Sequence, residues 1–259
     1  MRNSIFIATM FVQMRNSFAR KTFQFTLLAQ PILYTFITYF MFLHSGIDDY
    51  LSYVVLGSGM LSLWSCIVFS SAGDIDREKW MGTLTTIFAS PASFIKIIFA
   101  KIVGNTILSL VPFAISFILV RFVFNETFHI VNLPLFIFVF LLVILSFIAI
   151  AFLFAAAFTL SRKASILMNC LEYPIFILCG FVFPLSLLPQ GIQYLSYLLA
   201  PTWASMLLKE SVNGISDTNT FLSEGVILLL ITVIYFIIGF VLFKQMDKKV
   251  RQDASLEVC

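Results

Sequence analysis

Long apolar runs separated by short polar breaks dominate this sequence. A helix needs about 20 residues to cross the hydrocarbon of a bilayer. Six runs reach that length, at roughly 24–43, 51–72, 96–122, 133–160, 165–183 and 222–243. The fourth is long enough to tilt or to project beyond the lipid. The pattern predicts one all-α integral membrane domain over 1–259, with six transmembrane helices.

Three segments break the pattern without spanning. In residues 1–21, Ile5, Phe6, Met10, Phe11, Met14 and Phe18 share one side of a helix, with Arg2, Gln13, Arg15 and Arg20 elsewhere. That predicts an N-terminal helix lying in the membrane interface. The stretch lacks a compact apolar core followed by a small-residue cleavage site, so it is not read as a secretory signal. Residues 74–90 open with Asp74, Asp76 and Glu78, which favour a helix N-terminus. Trp80, Leu84, Ile87 and Phe88 then fall on one helical face, and Pro91 ends the helix. Acids at the front of an amphipathic helix suit a basic protein partner better than an anionic leaflet. Between the last two runs, Pro184, Pro189 and Pro201 cut an apolar stretch into pieces too short to span. Residues 184–201 are read as re-entrant helices, whose backbone must pack on protein or line a wet cavity.

Composition supports lipid exposure. Of the 259 residues, 60% are hydrophobic and 11% charged, against about 25% charged in a soluble domain. The distribution of charge says more than its net value of +3. With the N-terminus in the cytoplasm, Arg2, Arg15, Arg20, Lys21, Arg77, Lys79, Lys96, Lys101, Arg162, Lys163, Lys244, Lys248, Lys249 and Arg251 share that side. Those are 14 of the 16 basic residues, leaving only Arg121 and Lys209 opposite. The positive-inside rule therefore puts both termini in the cytoplasm. Cys66, Cys170, Cys179 and Cys259 occur singly and are read as inert thiols. His44 and His129 are lone and far apart, so no metal site is expected, and no nucleic-acid partner either.

Certain local motifs go further. Arg77-Glu78 is followed by Gly82-Thr83-Leu84 and then Ser90-Pro91; Asn169 precedes Tyr173-Pro174; a Phe183-Pro184 break and Pro201 precede the last span. In this order they resemble the ABC-2 type permease family, the membrane-spanning subunits of one class of ABC exporter, over nearly the whole chain. Thr85 departs from the pattern, where many members carry an acid. The resemblance implies two such six-span subunits, as a homodimer or heterodimer, in a bacterial cytoplasmic membrane. It also implies that residues 74–90 form a coupling helix, with Arg77, Glu78, Gly82, Thr83 and Leu84 docked in a cytoplasmic ATP-binding-cassette ATPase. ATP and Mg would then belong to the partner, with no cofactor in this chain. Independently, the sequence contains no GxxxxGK[ST] phosphate-binding loop.

Several polar residues are candidates for a translocation path or its gating. Glu172, beside Tyr173 and Pro174, is the acid read at depth. A carboxylate there costs about 2.5–3.5 kcal/mol and must face protein or water. It either contacts cargo or pairs with Arg162, Lys163 or Lys101 and fixes packing; the sequence leaves both open. Ser58, Ser62 and Ser65 share a face of the second span, where small residues allow close helix packing or line a path. Gln30 precedes Pro31 in the first span and is placed to bond across helices.

The expected function is a permease moving a hydrophobic or amphipathic cargo outward: a drug-like molecule, a peptide or a lipid-linked glycan. A non-transporting immunity or sensor protein is an alternative with the same fold. An intramembrane transferase would need clustered acids, histidines or a metal motif at depth, which the sequence does not display.

Overall fold

The computed structural model describes residues 2–43, 50–83, 86–87, 93–159, 164–215 and 217–253. Helix α1 (Arg2–Phe18) precedes the first apolar helix. Among the described residues, five helices are long and apolar enough to cross a membrane. They are α2 (Lys21–Phe42), α3 (Tyr50–Ser70), Phe94–Phe122, which comprises α5 (Phe94–Leu108) and α6 (Val111–Phe122), α7 (Leu133–Thr159) and Thr218–Met246, the apolar part of α11 (Thr218–Asp253). Helix α4 (Gly73–Trp80) continues from α3 through a widened turn, Val68–Ala72. Helices α8 (Ala164–Leu178), α9 (Gln190–Ser196) and α10 (Ala200–Asn213) lie between α7 and α11.

The fifth expected span, 165–183, is shorter than its sequence suggests. Helix α8 has 15 residues, about 22 Å at 1.5 Å each, less than the roughly 30 Å hydrocarbon core. The chain turns at Cys179 and Gly180, and Pro184 follows in extended backbone. Apolarity continued through Phe181 and Phe183, but those side chains serve a packed turn; Phe181 is fully buried.

Backbone irregularities follow from local chemistry. A proline ring clashes with the carbonyl four residues earlier and offers no N–H. Ahead of Pro31, the turn Phe25–Ala29 widens to i→i+5 spacing, absorbing that defect within α2.

Helix α3 is the hub. In its apolar window 89% of residues are buried, against 22% for the last helix. Trp64, Met60, Leu56, Leu63 and Ile67 of α3 are fully enclosed. The α11 side chains Leu230, Val233, Ile237 and Phe240 point outward, as lipid-facing residues do. Helix α7 packs along α11 and α10, and α1 lies along α5. That last contact requires Gly104: a Cβ there would stand 2.8 Å from the Met10 carbonyl oxygen. The two ends of the bundle therefore differ. One carries α1, α4 and the start of α5; the other carries α9, α10 and the start of α3.

Candidate functional site

Two clusters of polar and charged side chains stand out among the described residues. The first joins α2, α3 and α8. Gln30 Nε2 donates to the Tyr34 hydroxyl one turn on and to Ser65 Oγ at 3.3 Å. Ser65 Oγ in turn donates to Glu172 Oε1 at 2.7 Å. Glu172 is buried and lines a cavity of about 570 Å³ with Gln30, Tyr173, Phe69 and Arg20. Tyr173 stands exposed at its edge and meets Phe176 edge-on. Pro174 sits inside α8, on its exposed side. So Gln30, Ser65, Glu172 and Tyr173 converge on one site.

Ser58 and Ser62 do not join it. Ser58 shares hydrogen bonds with Thr35 of α2 and Ser116 of α6, at 3.2 and 2.9 Å. Ser62 bonds back to the Ser58 carbonyl at 3.0 Å. Both are fully buried and let three helices pack closely. Of the cations considered for Glu172, Lys101 pairs with Glu78 instead, while Arg162 and Lys163 lie outside the described residues.

The second cluster ties α1 to α4 and α5, and its centre, Asp74, entered the sequence reading only as an acid favouring a helix start. Asp74, 5% exposed, accepts from Gln13, from Asn105 Nδ2 at 2.9 Å, and from the Arg20 and Arg77 guanidiniums. Ser17 Oγ bonds Asn105 Oδ1 at 2.7 Å and closes the network. Gln13 and Ser17, spaced i and i+4, turn into protein rather than to the polar side. The signal was available: an asparagine within an apolar run and a Gln/Ser pair one turn apart mark polar groups that must find partners.

Arg77 and Glu78 are thus both engaged within the chain, Arg77 with Asp74 and Glu78 with Lys101. Burial raises the Glu78 carboxyl above the ordinary carboxylate range, and the Lys101 ammonium works against that shift. Residues 74–90 do not run as one helix. Helix α4 ends at Trp80, capped by Met81 N–H on the Arg77 carbonyl at 2.8 Å. Gly82 then takes φ 67°, a left-handed conformation that costs other residues energy and commonly terminates helices. Trp80 is 85% exposed and Met81 67%, so the turn projects apolar side chains from a clamped base. Thr83 is exposed beside it; Leu84 and Pro91 lie outside the described residues.

A third feature lies at the opposite end. Lys209 of α10 donates to the Gly180 carbonyl at 2.6 Å and sits 3.8 Å over the Tyr53 ring. Glu224, near the start of the expected span 222–243, is a second acid within the expected spans, which the sequence reading passed over; it is 8% exposed.

A lipid-facing helical bundle with acids held inside is the architecture of a multi-pass membrane transporter permease. Residues 7–241 match the family model described as ABC-2 family transporter protein. The chain belongs to that family. No curated protein sequence matches it.

Proposed function

We propose that the chain is the permease subunit of an ATP-binding-cassette exporter, with α4 and the Met81–Thr83 turn meeting a separate cytoplasmic ATPase that carries ATP and Mg. The observation that supports this reading best is the clamped turn. Trp80 and Met81 project outward, while Asp74 and Glu78 at the base bind α1 and α5 through ion pairs and amide bonds. A push on the turn reaches those helices through the Asp74 and Glu78 ion pairs and the Gln13 and Asn105 amide bonds. In this reading α8 completes six crossings despite its length, both termini are cytoplasmic, and α9 and α10 form the outer re-entrant region. Two such subunits enclose the path. The Gln30–Ser65–Glu172 site, open to a cavity with aromatic and basic walls, then contacts an amphipathic cargo.

The test is co-purification of the tagged full chain from its native membrane under gentle detergent, followed by mass spectrometry. Recovery of a protein with a phosphate-binding loop supports the reading. Repeated recovery without any ATPase sinks it and returns sequestration of a toxic molecule as the better account.

A further inference from the structure

At the end of the bundle away from α4, a cavity of about 540 Å³ is lined by Tyr53, Gly180, Tyr197, Lys209, Glu210 and Glu224, among others. Its charged groups are two carboxylates and one ammonium. The ammonium is already committed, with Lys209 Nζ held by the Gly180 carbonyl and the Tyr53 ring. Glu224 has the opposite condition. Its side chain is more than nine-tenths buried, and its Oε2 has no hydrogen-bond partner. Glu210 is close enough to repel it. A buried carboxylate oxygen without a donor is costly, and a second acid beside it raises the cost. Such groups in folded proteins are satisfied by a ligand, an ion or water.

We infer that this cavity binds a primary ammonium group, with Glu224 as the principal acceptor. The chemistry on the wall fits. An ammonium donates up to three N–H bonds, one of which Glu224 Oε2 can accept, and is attracted to aromatic faces such as Tyr197. The volume holds a group much larger than a water, whose share of liquid volume is about 30 Å³. The same chemistry is carried by an ethanolamine lipid headgroup and by a soluble amine. The site stands apart from the transport reading, because none of its residues touches the loop end of the bundle or the Glu172 cavity.

The test uses the full chain in nanodiscs. In phosphatidylcholine doped with phosphatidylethanolamine, native mass spectrometry reads which lipid stays bound. A quaternary ammonium cannot donate to Glu224, so wild type is expected to retain the ethanolamine lipid about tenfold over its share, the size of one charge-assisted hydrogen bond. In pure phosphatidylcholine, ethanolamine is titrated and the melting temperature followed. Lipid preference that falls to parity in Glu224→Gln identifies the headgroup as ligand. A melting rise with free ethanolamine that Glu224→Gln abolishes, without lipid preference, identifies a soluble amine. Either supports the site. Neither effect in wild type, or effects that persist in Glu224→Gln, overturns it and leaves a proton as what satisfies Glu224. If Glu224→Gln does not fold, the wild-type comparison of the two lipids and of the free amine still decides.

Discussion

Ser65 of α3 donates its hydroxyl to Glu172 of α8 across 2.7 Å, so the most enclosed of the five long apolar helices holds the acid of α8. Ser65 is fully buried and Glu172 nearly so, and the link carries on to Gln30 of α2. Removing the hydroxyl leaves a buried carboxylate with one donor fewer. Ser65→Ala is expected to cost about 1–3 kcal/mol, read as a lower melting temperature in detergent. Glu172→Gln still accepts from Ser65 and is expected to insert and assemble normally. Changed cargo transport in that variant marks a carboxylate that contacts cargo; lower yield with unchanged transport per molecule marks a packing group.

Asp74 is the anchor of α1. Asp74→Ala strands Arg20, Arg77, Gln13 and Asn105 together. A loss on the order of 2 kcal/mol is expected, since the acid is buried but its arginine partners are partly wet. Helix α1 should loosen from α5 first, and faster tryptic cleavage at Arg15 and Arg20 would register it. Unchanged cleavage would mean that the Met10 and Met14 packing at Gly104 holds α1 alone.

Gly82 tests the proposed ATPase contact. Gly82→Ala meets no neighbouring atom but must take φ 67°, at about 1–2 kcal/mol of local strain. Gly82→Arg adds bulk at the exposed turn. We expect both to insert normally, with stimulation of the partner ATPase weakened by alanine and abolished by arginine. Full stimulation in the arginine variant would remove the turn from the contact.

Glu78 gives a pH dependence of defined sign. Burial holds its folded-state value above the ordinary carboxylate one. Its protonated form is therefore favoured by folding. The stabilisation is complete below the ordinary value of about 4.3 and is lost as pH rises through the raised one. The melting temperature of wild type relative to Glu78→Gln should fall with rising pH across that window. A difference that grows with pH instead would show that the Lys101 pair outweighs burial.

The sequence determined the solvent of this protein. Apolar runs of bilayer length specify helices in lipid, because no other open structure satisfies the backbone there, and five of the six appear as helices long enough to cross. It also marked Pro184 as a break, since proline acts through its own ring. Glu172 and Gln30 were legible because a polar group in an apolar run must find a partner. Which partner was not legible. Ser58, Ser62 and Ser65 follow one periodicity, yet only Ser65 faces the acid; Gln13 looked like the wet side of α1 and is buried against Asp74. Helix α3 is the less apolar of the two, at mean hydropathy 1.7 against 3.1 for the apolar part of α11, and it is the enclosed one. Mean hydropathy ranks the two helices but does not say which neighbour each face meets. That choice, and with it the pairing of every buried charge, came only from how the helices fit against one another.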